Sequence, residues 1–121
     1  MSISKNLYIN FYIFSIMGKT KDQKTCTTST DNIPEKDIIN REVESFKALA
    51  DHTRLKLVYL LEDKELCSCQ MVNSLEIAQP TISHHLSVLV KSGIVEWEKK
   101  GKWKYFKLKN KDLIKIIKKI S

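Results

Sequence analysis

This 121-residue sequence predicts one mainly α-helical domain carrying a single β-hairpin. Three observations predict it. Apolar residues recur at spacings of three and four through residues 35–92, the period of helices with one buried face. The period changes to two over residues 94–108, on both sides of a lysine- and glycine-bearing turn. Gly (3) and Pro (2) are too scarce for the many tight turns of a barrel or sandwich.

From Glu35 onward, Ile39, Val43, Phe46 and Ala50 keep helical spacing, with Ile38 and Leu49 alongside. Asp51-His52-Thr53 interrupts the pattern, and Asp51 or Thr53 can cap the next helix. Leu55, Leu57, Val58, Tyr59, Leu60 and Leu61 make that helix nearly all apolar, which places it at the centre of the core. Glu62-Asp63-Lys64-Glu65 reads as a turn. A short helix through Leu66–Leu75 follows, with Met71, Val72 and Leu75 inward, and Glu76-Ile77-Ala78 is a tight link. The next helix runs from Gln79 to Ser92. Pro80 suits its first turn, where the missing N–H costs nothing, and Gly93 sits where a helix-ending glycine belongs. Its buried stripe is Ile82, Leu86, Leu89 and Val90; its opposite face is Pro80, Ser83, His84, Ser87 and Lys91. Ile94–Glu98 and Trp103–Leu108 then read as strands joined by Lys99-Lys100-Gly101-Lys102. A final helix from Asp112 to Ile120 carries Leu113, Ile116, Ile117 and Ile120 on one stripe. It is too short to stand alone and must pack on something, a partner subunit being one candidate.

Before Glu35 the character differs. Residues 1–33 are expected to be a flexible arm, and 34–121 the folded domain. Leu7–Ile16 is apolar, but at about ten residues it is too short to cross a bilayer. No A-x-A cleavage site follows it, which disfavours a secretory signal. The first sixteen residues read as an extension from an upstream start, with Met17 as the alternative initiator. A genuine N-terminal strand or dimer-contact segment is the other reading.

Charge is unevenly placed. The chain holds 19 Lys, 2 Arg and 14 acidic residues, and residues 91–121 alone hold 11 Lys against 3 acids. That excess points to a polyanion-binding face. Helix, helix, tight link, helix and hairpin in this order form the layout of a winged helix-turn-helix, whose second helix enters the major groove while the hairpin lies beside the phosphates. The residues expected to face DNA are Gln79, Thr81, Ser83, His84, Ser87 and Lys91 on the helix, and Lys99, Lys100 and Lys102 on the wing. No acid lies among them to repel phosphate. An enzyme is excluded: there is no glycine-rich phosphate loop, no HExxH and no triad of nucleophile and base. A non-specific basic architectural protein is the competing binding class.

Three cysteines without a signal indicate reduced thiols and a cytoplasmic protein. Cys67 and Cys69 are two apart. Within a regular helix they would lie about 200° apart and chelate poorly. At a helix start both sulfurs can turn outward, and the helix N-terminus lowers a thiol's pKa.

Several segments together resemble the ArsR/SmtB family of metal-responsive repressors. Phe46-Lys47-Ala48-Leu49-Ala50-Asp51-His52-Thr53-Arg54-Leu55 is similar to its opening signature, and Glu65-Leu66-Cys67-Ser68-Cys69 to the Cys-x-Cys element of arsenic- and cadmium-sensing members. Gln79-Pro80-Thr81-Ile82-Ser83-His84-His85-Leu86 is similar to the recognition helix, and the stretch from Gly101-Lys102-Trp103 to the wing. The resemblance spans residues 35–120. His52 departs from the usual proline, Glu76 from a common glycine and Ala78 from the usual serine cap.

The resemblance implies a homodimer built on the first and last helices. It binds double-stranded DNA at a nearly palindromic operator, and a ligand lowers that affinity. It implies no required cofactor, only a regulatory ligand at Cys67 and Cys69. Some arsenic-sensing relatives place a third Cys where this chain has Val72. Cadmium and lead sensors use cysteines of the partner's N-terminal arm, the role open to Cys26. Three sulfurs suit As(III) or Sb(III); Cd(II) or Pb(II), or a redox switch of the thiols, are the alternatives. The family's other zinc site, on the last helix, is expected to be absent, because that helix has no His and Asp112 is its only acid. His52, His84 and His85 are read as non-ligands.

Overall fold

The computed structural model describes residues 26–121. The apolar stretch Leu7–Ile16 and the alternative start at Met17 lie outside the described residues. The chain divides between Pro34 and Glu35 into two units. In the first, residues 26–34 include a turn in which the Ile33 N–H donates to the Thr30 carbonyl at 2.9 Å.

The second unit, Glu35–Ser121, contains α1 (Lys36–Leu49), α2 (His52–Leu60), α3 (Ser68–Leu75), α4 (Gln79–Lys91), β1 (Val95–Lys100), β2 (Trp103–Leu108) and α5 (Leu113–Ile120). β1 and β2 form an antiparallel hairpin with Val95 opposite Leu108 and Lys100 opposite Trp103. The ladder therefore runs to Lys100, and the turn is Gly101-Lys102 alone, shorter than the four-residue loop that the lysine cluster suggests. Gly101 takes φ +64, the conformation that two-residue hairpin turns demand.

The core gathers one face of every helix. Leu57, Val58 and Leu61 from α2 and its end meet Met71 of α3, Ile82, Leu86 and Leu89 of α4, and Val95 and Leu108 of the hairpin. The stripe expected on α4 is the one buried, with Val90 half-exposed at its edge. Gly93, at φ +78, ends α4 as its position predicts. Asp51 caps α2, its carboxylate accepting from the Arg54 N–H at 3.0 Å.

Two features differ from the periodicity. α3 begins at Ser68, with Cys67 as its N-cap, because Leu66 is spent on a backbone bridge to Phe106 of β2. On α5 the residue fully enclosed in the core is Ile114, 2 % exposed, while Leu113 and Ile117 of the expected stripe are half-buried against it. Ile116 and Ile120 remain exposed, as do Val43 and Phe46 on α1.

α4 starts without a side-chain cap. Ala78 occupies the N-cap, and Gln79 does not replace the missing group: its amide donates instead to Ser83 Oγ at 3.1 Å. Just before it, Glu76 ends α3 with φ 55, a left-handed conformation that costs a non-glycine residue about 1 kcal/mol or more. Ala78→Ser should supply the missing acceptor and raise stability by about 1 kcal/mol, read as a higher midpoint in thermal or denaturant unfolding. Ile114→Ala should cost about 2–5 kcal/mol in the same assay, because it empties a fully enclosed site.

Candidate nucleic-acid interface and thiol site

The packing of α4 decides what it shows to solvent. With Ile82, Leu86 and Leu89 turned inward, Gln79, Thr81, Ser83, His84, Ser87 and Lys91 are all exposed. These are the helix residues singled out from the sequence, and the fold places them on one element. The wing residues Lys99, Lys100 and Lys102 are likewise exposed. Ser83, Ser87, Lys91 and Lys102 share the lining of a cleft of about 580 Å³ between α4 and the hairpin, together with Trp97 and Trp103. The two tryptophans were not among the expected site residues. Their signal was available: large aromatics on a strand whose alternate positions are charged.

The charges are not equivalent. Among the described residues, Lys91, Lys99 and Lys102 enter no ion pair, whereas Lys100 Nζ lies 2.6 Å from Glu65 Oε2. Lys104 Nζ stacks over the Trp97 ring at 4.2 Å from its centroid. Hydrogen bonding to Lys100 holds the Glu65 carboxyl below its ordinary range, and raises Lys100 in turn.

Arg54 is absent from this face because its guanidinium is used internally. Nε donates to the Ala48 carbonyl at 2.6 Å, and Nη1 lies 3.3 Å from His85 Nδ1. Arginine can only donate, so His85 Nδ1 is the acceptor in this contact, and the same atom lies 3.9 Å from Asp51 Oδ2. His84, its neighbour, points outward.

Cys67 and Cys69 come together at the start of α3, their Sγ atoms 3.0 Å apart. The N-cap position makes this possible. Cys67 has extended backbone (φ -82, ψ 162), which frees its side chain from the helical period and turns it toward that of Cys69. Its N–H donates to Gln70 Oε1 at 2.9 Å, and the Gln70 N–H faces its sulfur in return, the two halves of a capping box. Cys67 is 8 % exposed and lines the same cleft; Cys69 is exposed. The Cys69 thiol holds Cys67 below the ordinary thiol range by hydrogen bonding to its thiolate, with the first N–H groups of α3 adding to the effect. The same bond, with burial and the neighbouring negative charge, pushes Cys69 up.

Cys26 is exposed in the N-terminal unit. Among the described residues no three His, Cys, Asp or Glu side chains form a metal-sized cluster, so the site in hand is a pair of sulfurs. No described helix is long and apolar enough to cross a membrane.

The pair should lose one proton easily and the other reluctantly. Its contribution to stability should grow as pH rises through the lowered range of Cys67, then decline as pH rises through the raised range of Cys69. In a Cys26→Ser background, thiolate absorbance against pH should show two steps. In the same background Cys69→Ala should leave one step for Cys67, shifted upward from the first of those two.

The arrangement has counterparts. Residues 51–96 match the family of bacterial regulatory proteins of the arsR type. The HTH-type transcriptional regulator MJ1325 of Methanocaldococcus jannaschii is 41 % identical over 81 residues, which is 64 % of this chain and 91 % of that one. The arsenical resistance operon repressor of Escherichia coli K12 is 45 % identical over 67 residues, covering 54 % of this chain and 57 % of the repressor. Among solved structures, HlyU from Vibrio cholerae N16961 superposes with a TM-score of 0.64 at 26 % identity, over 71 % of this chain and 97 % of HlyU. The helix order, the hairpin and these similarities together show that the chain belongs to the ArsR family of winged helix-turn-helix, DNA-binding transcriptional regulators.

Proposed function

We propose that this regulator is a cytoplasmic homodimeric repressor that leaves its operator when As(III) or Sb(III) binds Cys67 and Cys69. The observation that carries the reading is the 3.0 Å approach of two sulfurs at the N-cap of α3, one of them held toward its thiolate form. Thiolates are soft donors and select soft ions. Arsenous acid, As(OH)3, exchanges one hydroxyl for each thiol and releases one water each time, so two cysteines leave one position on arsenic. Cys26, on the arm of the partner subunit, would fill it. Cd(II) or Pb(II) would draw on the same sulfurs but prefers more donors than the pair supplies.

Support for the dimer comes from the exposed apolar side chains of two helices. Phe46 is 61 % exposed and Ile120 73 % exposed, with Val43 and Ile116 beside them in their helices. A domain of this size seldom leaves so many large apolar groups in water unless a second surface covers them. Two-fold symmetry then calls for a nearly palindromic operator, with α4 of each subunit in successive major grooves. Gln79, Thr81, Ser83, His84 and Ser87 would meet base edges. Lys91, Lys99, Lys100 and Lys102 would meet phosphates. With the domain taken from residue 34 onward, Cys26 would lie on the arm that precedes it.

Cys67→Ser and Cys69→Ser should each keep operator affinity and lose release by arsenite, measured by fluorescence anisotropy on an operator selected from random DNA. A typical coupling of about 1–3 kcal/mol would give the wild type a 5- to 150-fold loss of affinity. Release of the double variant at the wild-type arsenite concentration would contradict the reading. Cys26→Ser should weaken the response.

A further inference from the structure

Glu65 and Leu66 stand between the thiols and the hairpin and hold the hairpin in two different ways. The Leu66 N–H donates to the Phe106 carbonyl at 3.0 Å, and the Phe106 N–H returns a bond to Leu66 at 2.8 Å. The Glu65 carboxylate reaches across the strands to Lys100 Nζ at 2.6 Å and Lys107 Nζ at 3.6 Å. Cys67 follows at once. The N-cap that carries one sulfur is therefore one residue away from a backbone bridge to β2 and two from an ion pair to the end of β1.

Lys100 closes the ladder opposite Trp103, next to the Gly101-Lys102 turn. Its ammonium already has an anionic oxygen at hydrogen-bond distance. A DNA phosphate offers the same kind of acceptor, so carboxylate and phosphate compete for one cation. Lys107 is buffered against this competition, because Glu96 Oε1 lies 3.8 Å from its Nζ and stays when Glu65 is removed. The consequence of changing Glu65 thus falls on Lys100.

We propose that Glu65 is a positioning residue for DNA binding: its carboxylate holds Lys100 in place of a phosphate, and occupancy of Cys67 and Cys69 acts on the wing by tightening that hold. The second half rests on the thiol reading above; the first half does not depend on it. DNA binding by the ligand-free protein must draw Lys100 away from Glu65. A ligand that fixes the N-cap of α3 also fixes the adjoining segment against the hairpin, and Lys100 is withheld.

The test uses the full-length chain with Glu65→Gln, Lys100→Ala and the double variant. Far-ultraviolet circular dichroism confirms that each is folded. Probes are a random-sequence duplex and an operator selected from random DNA. Phosphate contacts carry no sequence information, so Glu65→Gln should tighten both duplexes alike. The expected gain is roughly two- to thirtyfold for a dimer that carries two such exposed pairs. In the Lys100→Ala background the same substitution should gain nothing, an outcome that a merely structural role of Glu65 would not produce. Unchanged or weaker binding by Glu65→Gln, or an equal gain without Lys100, overturns the competition.

The relay is read separately, with sodium arsenite. Equilibrium dialysis should show the same arsenite binding for Glu65→Gln as for the wild type, while the arsenite-induced loss of operator affinity shrinks. The same fold-loss in both proteins overturns the relay. If the wild type binds no arsenite, the thiol reading and the relay both fall, and the competition is still decided by the DNA titrations.

Discussion

Two backbone hydrogen bonds, between Leu66 and Phe106, fasten the hairpin to the helices, and much of the molecule depends on that fastening. A two-stranded hairpin is marginal in water by itself. Here it gains a third strand-like edge from Leu66 and a buried end from Val95 and Leu108. With the hairpin fixed, its lysines stand at a set distance from α4, and the cleft that separates them has a defined width. The bridge also explains why α3 starts where it does. A residue committed to a strand pairing cannot belong to a helix, so the first helical turn is displaced past Cys67.

That displacement creates the thiol pair. Were Leu66 helical, Cys67 and Cys69 would sit on nearly opposite sides of α3. As N-cap, Cys67 is free of the helical period, and the helix N–H groups that lower its pKa become available to it. One constraint thus yields both a wing held in register and two sulfurs held together. The same segment adjoins both the hairpin and the sulfur pair, which is the physical basis for the proposed coupling.

Much of this was legible in the residues. The inward stripe of α4 followed from Ile82, Leu86 and Leu89, and its outward face from Ser83, His84 and Ser87, because helical spacing fixes faces whatever the partner is. Gly93 and Gly101 marked places where the chain needs positive φ. What escaped was pairing over long sequence separations. Leu66 reads as the first apolar residue of a helix, and nothing local announces its partner forty residues on. Lys100 reads as part of a loop because lysine has little preference for strands, and the ladder extends to it for reasons of register. Ile114 is masked in the sequence by the longer and more regular stripe beside it. That stripe leaves Ile116 and Ile120 uncovered within one subunit, whereas Ile114 faces the core. The pairing of Cys67 with Cys69 was readable as chemistry, while its geometry waited on the position of the N-cap.

In the proposed switch, thiol ligand and DNA bind to opposed states of one molecule, and thermodynamic linkage makes that measurable from either side. The most direct measurement is the arsenite dissociation constant of the dimer, free and saturated with operator, by calorimetry under one buffer and salt condition. Operator should weaken arsenite binding by the same factor by which arsenite weakens operator binding. Equal arsenite affinity in the free and DNA-bound protein would contradict it.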